Sequence, residues 1–180
     1  ASDLFESVKI NVVVMRGVNL DEVAAFAALT YEHPWTVRFI EFMPIGSSVL
    51  ADTSWADTLV SAEETKQAIT AELGALSPVH RASEPGLGPA NVFQLDGAKG
   101  RVGFIHAMSQ PFCESCNRLR LTARGELRAC LFDGGELPLV DHLRPTVDAA
   151  ALRRAFEACV TLKPTVHALR GTRAMSQLGG

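Results

Sequence analysis

Residues 8–14 (VKINVVV) constrain the fold most. They are nearly all apolar and β-branched, the pattern of a strand buried on both faces. A turn with helix-capping residues follows at 16–21 (RGVNLD). Val23, Phe26, Ala27 and Tyr31 then recur near helical spacing, predicting a helix over 21–31 that His33-Pro34 stops. Residues 36–42 (TVRFIEF) predict a second strand, closed by Met43-Pro44-Ile45-Gly46. Strand, helix and strand within about 35 residues form a βαβ unit, with parallel strands and a right-handed crossover.

Two parallel strands do not make a stable sheet, because such sheets are larger and covered on both faces. Either later strands complete a small mixed sheet, or more βα units lie upstream of this chain. No further βα repeat follows 42, so the pattern favours the second reading. It also leaves 8–14 with an open edge that invites pairing with another chain.

The 180 residues suffice for one domain or two small ones. With 47% hydrophobic and 21% charged residues, the chain is not a disordered segment. No apolar run approaches the roughly 18 residues of a membrane span, and no secretory signal is visible. The formal net charge of −3 argues against non-specific nucleic-acid binding, yet leaves room for a local anion site.

Ser61-Ala62-Glu63-Glu64 is a capping box opening a helix over 62–73, which ends at Gly74. Residues 91–95 and 101–107 read as one hairpin, and 119–122 and 126–132 as another. An amphipathic helix is expected over 148–160, through Leu152, Ala155, Phe156, Cys159 and Val160.

The cysteines carry the chemistry. Cys113 and Cys116 are spaced C-x2-C, and Cys130 follows in the same stretch, FCESCNRLRLTARGELRACLF. A chain with this apolar fraction needs no disulfides, so reduced metal-binding thiols in a cytoplasmic protein are expected. Three thiolates leave a fourth position for Cys159, for a histidine such as His106, or for a substrate. Cys159 falls on the apolar face of a helix and reads as a core residue.

The hairpin turn Ala123-Arg124-Gly125 sets a register. It pairs Thr122 with Glu126, Arg120 with Arg128, and Arg118 with Cys130. Arg118, Arg120, Arg128 and Cys130 would then share one face. Opposed arginines are unfavourable unless an anion lies between them, which suits a phosphorylated ligand.

This stretch resembles the second-cluster motif of the GTP 3',8-cyclase family, radical S-adenosylmethionine enzymes that open molybdenum cofactor biosynthesis. The likeness continues, in order, through KINVVVMRGVN, RFIEFMPIG and the terminal Leu178-Gly179-Gly180. It implies the α/β fold of the C-terminal part of an incomplete parallel, TIM-like β/α barrel. A cluster-binding α+β region would follow it. The last βαβ portion would occupy 1–46, and the iron–sulfur and GTP-binding region, with its tail, 47–180.

By the same resemblance Cys113, Cys116 and Cys130 would ligate a second [4Fe–4S] cluster that meets GTP. Lys9, Arg38, Arg118 and Arg120 match positions that contact the nucleotide. Met43 matches a position near S-adenosylmethionine, and Gly179 and Gly180 match a tail reaching the active site. The family's first-cluster motif, C-x3-C-x2-C, is absent here. S-adenosylmethionine and a first [4Fe–4S] cluster would therefore belong to the full-length enzyme, and this chain alone would not catalyse. A homodimer is a possible partner state. A zinc-binding structural or interaction module is the competing expectation.

Overall fold

The computed structural model describes residues 5, 7–46, 55–80, 88–132 and 136–167. The chain divides into two compact units, one of 1–42 with 53–110 and one of 43–52 with 111–180.

In the first unit the expected βαβ arrangement is present. β1 (Lys9–Val14), α1 (Val23–Glu32) and β2 (Thr36–Glu41) follow one another, and the strands are parallel with Asn11 opposite Arg38. α1 ends at His33, whose backbone is extended, as the residue before a proline prefers.

The sheet then grows in a way the sequence reading did not anticipate. After α2 (Trp55–Thr58) and α3 (Ala62–Leu73) come β3 (Leu76–Pro78), β4 (Asn91–Leu95) and β5 (Arg101–Ile105). β4 and β5 form the expected antiparallel hairpin, but β5 also pairs parallel with β2. The order is β1-β2-β5-β4-β3, a mixed parallel and antiparallel sheet. A later strand therefore supplies a parallel neighbour to β2, as the mixed-sheet reading has it, while no later described strand pairs with β1 on its other side. A hairpin uses only one edge of each strand, so the other edge of β5 stays available to β2. Gly100 makes the approach possible: a Cβ there would lie 2.2 Å from the Trp35 carbonyl oxygen. From this position Gly100 N–H donates to the Thr30 carbonyl at 2.8 Å, and Arg101 N–H to the Trp35 carbonyl at 2.8 Å.

A second correction concerns burial. β1 is covered on one face only, within the first unit. Val12 and Val14 join Val37, Phe39, Val102 and Phe104 in the core, with α1 and α3 contributing Val23, Ala27 and Ile69. Val13 points the other way and is 42% exposed. Alternation along the strands puts Lys9, Asn11 and Arg38 on that second face.

Among the described residues β1 pairs with β2 alone, so it is an edge strand. Thr36 N–H donates to the Val8 carbonyl, which turns even-numbered backbone groups toward β2 and odd-numbered ones outward. On the outer side the Asn19 amide donates to the Val13 carbonyl and accepts from Met15 N–H, both at 2.9 Å. The carboxamide thus occupies part of the edge that another chain would need.

In the second unit β6 (Arg120–Leu121), β7 (Glu126–Arg128) and β8 (Glu136–Pro138) form an antiparallel sheet. α4 (Val140–Leu143) and α5 (Ala149–Thr161) follow. Its buried core is small: Leu127, Ala129, Leu139 and Cys159, flanked by Leu119, Leu137, Leu152 and Ala155. The β6–β7 turn requires glycine twice over. Gly125 has φ +78°, and a Cβ would sit 2.5 Å from Val140 Cγ2. No described helix is long and apolar enough to cross a membrane.

Candidate functional site

The cysteine hairpin carries the site in the second unit. Cys113 opens a single 3-10 turn, Cys113–Ser115, and Cys116 caps it. Cys130 lies two residues beyond the end of β7. All three are free and partly exposed, whereas Cys159 is fully buried. Burial pushes the Cys159 thiol up, with Lys163 acting against it. Its aliphatic surroundings make it the core residue expected.

The predicted register is correct where the ladder exists. Arg120 opposes Arg128, and Thr122 N–H donates to the Glu126 carbonyl at 2.9 Å. The ladder ends at Arg120 and Arg128, two pairs short of Arg118 with Cys130. Arg118 instead leaves the strand, exposed, with its guanidinium 5.8 Å from the centre of the Phe112 ring.

The expected shared face of Arg118, Arg120, Arg128 and Cys130 is therefore corrected. Arg128 is 1% exposed and ion-paired with Glu136, which stands opposite it on β8. A carboxylate of the chain itself resolves the opposition of like charges, so Arg128 serves the fold. Arg120 is half-buried. Burial first, then the charge of Arg118, holds its pKa below the ordinary value, while Cys130 and Cys116 act in the opposite direction. Arg118 and Arg120 remain as the cations beside the thiols.

Lys163, unassigned by the sequence reading, closes the site. Its ammonium donates to the carbonyls of Arg118 at 2.7 Å and Ala129 at 3.1 Å, and stands 3.6 Å from Cys116 Sγ. The segments carrying Cys116 and Cys130 are thus tied to one cation. Among the described residues, no three His, Cys, Asp or Glu side chains gather closely enough to hold a single metal ion. The early end of the ladder leaves Cys130 outside the sheet. The donor chemistry nevertheless fits an iron–sulfur cluster: three free thiols beside cations that offset thiolate charge. A four-iron cube also spreads its ligands more widely than a single ion does.

The nucleotide residues assigned to the first unit lie on its polar sheet face. Arg38 Nε donates to Asn11 Oδ1 at 2.8 Å, and Lys9 is two residues before Asn11 on the same face. Gly103 lies opposite Arg38, where a Cβ would be 3.2 Å from Arg38 Cγ. β2 ends at Glu41, two residues before Met43. Gly179 and Gly180 lie outside the described residues.

Glu41 was also missed. It is 2% exposed and accepts from the N–H groups of Ala62, Met108 and Ser109 at 2.7–2.8 Å, and from the Ser109 hydroxyl. Burial pushes the carboxyl up, but these hydrogen bonds outweigh it and hold the pKa below its ordinary value. The signal was present in the sequence. Alternation in TVRFIEF puts Glu41 on the same face as Val37 and Phe39, a carboxylate at a core position.

Comparison with known proteins bears on the same residues. Residues 35–169 match the family model described as Molybdenum Cofactor Synthesis C. A protein named GTP 3',8-cyclase from Pelotomaculum thermopropionicum is 47% identical, over 96% of this chain and 53% of its own length. Proteins of the same name from Moorella thermoacetica and Trichodesmium erythraeum are 45% and 44% identical. They cover 96% and 98% of this chain, and 53% and 54% of their own lengths are matched. The chain spans about half the length of the curated relatives it matches.

Proposed function

The chain belongs to the Molybdenum Cofactor Synthesis C family, and on that premise we propose that it is the cluster- and GTP-binding portion of a GTP 3',8-cyclase. The complete enzyme would convert GTP to (8S)-3',8-cyclo-7,8-dihydroguanosine 5'-triphosphate in molybdenum cofactor biosynthesis, a lyase reaction. S-adenosylmethionine and a first [4Fe–4S] cluster would supply its radical chemistry.

This chain's residues would bind and orient the substrate. The observation that carries the reading is the gathering of cations around the thiols while Arg128 is committed to Glu136. Cys113, Cys116 and Cys130 would hold a second [4Fe–4S] cluster, which supplies an iron with a free coordination position for the guanine. Arg118 and Arg120 would donate to phosphate oxygens in planar, two-pronged hydrogen bonds. Lys9 and Arg38 would add nucleotide contacts from the polar sheet face. Met43 would lie near S-adenosylmethionine, and the Gly179-Gly180 tail would enter the active site. The 1–46 part would be the end of the partial barrel, and 47–180 the region that closes it. Reduced thiols suit a cytoplasmic setting.

Anaerobic reconstitution with ferrous iron and sulfide tests the proposal. The expected result is a brown chain whose visible absorbance disappears in the Cys113→Ser, Cys116→Ser and Cys130→Ser variants. Calorimetric titration with GTP should show binding that weakens in Arg120→Ala. A colourless chain that takes zinc through the same cysteines and ignores GTP would overturn it. That zinc reading needs a fourth ligand, and Cys159 is enclosed among Leu127, Ala129 and Leu139.

A further inference from the structure

We propose that Lys163 is a positioning residue for the cysteine site, fixing the spacing of Cys116 and Cys130 and raising the reduction potential of the cluster they hold. The inference rests on the cluster reading above and deepens it, giving a specific role to a residue that the reading counts only among the nearby cations.

Lys163 follows Leu162, the residue that caps α5, and its own N–H donates to the Val160 carbonyl at 3.2 Å. Pro164 comes next, so the backbone leaving the helix is restricted on both sides. Most lysines hold their ammonium in water. This one is half-buried, and its partners account for the whole group. An ammonium has three N–H donors and no acceptor. The Arg118 carbonyl, the Ala129 carbonyl and Cys116 Sγ are three acceptors, at 2.7, 3.1 and 3.6 Å.

The identity of the carbonyls matters. Arg118 lies two residues after Cys116, and Ala129 immediately precedes Cys130. β-pairing would have joined these segments, but the ladder ends at Arg120 and Arg128. The ammonium therefore replaces the missing ladder as the link between the two ligand-bearing segments. Removing it leaves two backbone carbonyls to find water and frees Cys130 to drift from Cys116.

The third contact acts on charge. Three thiolates on a [4Fe–4S]2+ core leave the assembly net negative, and one electron makes it more so. A cation donating to a ligand sulfur favours the more negative state, so it raises the potential. Arg120 also feels the thiols, but its lowered pKa reflects burial and the charge of Arg118 first. Lys163 is the cation with a hydrogen bond to sulfur among the contacts described here.

The test uses the whole chain, reconstituted anaerobically with ferrous iron and sulfide, as wild type, Lys163→Met and Lys163→Arg. Iron binding is measured by competition with a chelator. The one-electron reduction is followed by electron paramagnetic resonance during titration with dithionite. Lys163→Met should lose about tenfold in iron affinity, the lower range for loss of a group supporting a metal ligand. The cluster it retains should be reduced at a more negative potential than wild type. Lys163→Arg keeps the charge and should return the potential most of the way, even if its bulk lowers loading. A role in folding alone would reduce loading in both variants and leave the potential of the loaded fraction unchanged, and that result overturns the inference. So does a Lys163→Met chain indistinguishable from wild type. Wild type that takes up no iron defeats the cluster reading, and this inference with it, whatever the variants do.

Discussion

The two compact units are held together by different means. The first buries a continuous apolar layer, from Val12 and Val14 on β1 through Phe39 to Phe104 on β5, against two helices. Among the described residues, the buried cluster of the second is only Leu127, Ala129, Leu139 and Cys159, and its segments are linked by charge. Arg128 pairs with Glu136, and Lys163 ties the loop after Cys116 to the end of β7. Apolar burial is non-directional and tolerant of small movements, whereas a buried ion pair fails sharply when one partner is lost. The unit with the larger apolar core should therefore be stable without a ligand. The unit that carries the candidate site should depend on its polar links and on what it binds.

The comparison breaks first at Phe104. It is 1% exposed and packs against Phe39 and Phe93 with ring centroids 5.9 and 5.6 Å away. Phe104→Ala should destabilise the first unit by about 4 kcal/mol through lost burial and the cavity left behind. Both tryptophans, Trp35 and Trp55, belong to that unit, so urea unfolding followed by tryptophan fluorescence reads it alone. A loss below about 1 kcal/mol would mean that the apolar layer is not what holds the sheet.

Glu136→Ala is the counterpart in the second unit. It leaves the Arg128 guanidinium buried opposite Arg120 and should cost about 3 kcal/mol, tempered by the partial exposure of Glu136. Amide hydrogen exchange across β6 and β7 measures it. Protection equal to wild type would show that the charge pair is dispensable. Arg128→Met with Glu136→Leu should then recover most of the loss, since an apolar pair of similar size suits a buried position.

Glu41 sharpens the contrast, being a buried carboxylate beside the apolar layer of the first unit. Its folded pKa lies below the ordinary carboxylate value, so the stability it contributes is present at neutral pH. That contribution is lost as pH falls from about 4.3 through the lower folded value. Glu41→Gln should cost about 2 kcal/mol at neutral pH, because three backbone N–H groups lose a charged acceptor. It should also flatten the acid limb of a fluorescence-monitored stability profile. An acid limb as steep as wild type would assign acid unfolding to other groups.

The smallest expected effect is at the N-terminus of α3. Ser61 Oγ accepts from Glu64 N–H at 3.1 Å, and Ser61→Ala should cost about 1 kcal/mol in the same unfolding assay. A larger loss would show that the α3 terminus, where Ala62 N–H also meets Glu41, acts as one coupled structure.

Much of this was legible without coordinates because it is local. The Ser61 cap, the end of α3 at Gly74 and the register of Arg120 opposite Arg128 follow from side-chain chemistry within a few residues. The turn at Gly125 is local too, since its positive φ is a glycine signature. The C-x2-C spacing and the order of the motifs pointed to the family for the same reason. They are properties of the chain before it folds. The partners that come from distant segments were not legible. β5 beside β2 depends on the close approach at Gly100, and Glu136 beside Arg128 on a three-residue strand too short to show periodicity. Lys163 reaches Cys116 across 47 residues of sequence. The sequence determined which groups are available, their local turns and their caps. Only tertiary structure decided that Arg128 is the arginine paired within the chain, because pairing between remote charges is set by packing and leaves no periodic mark in the chain.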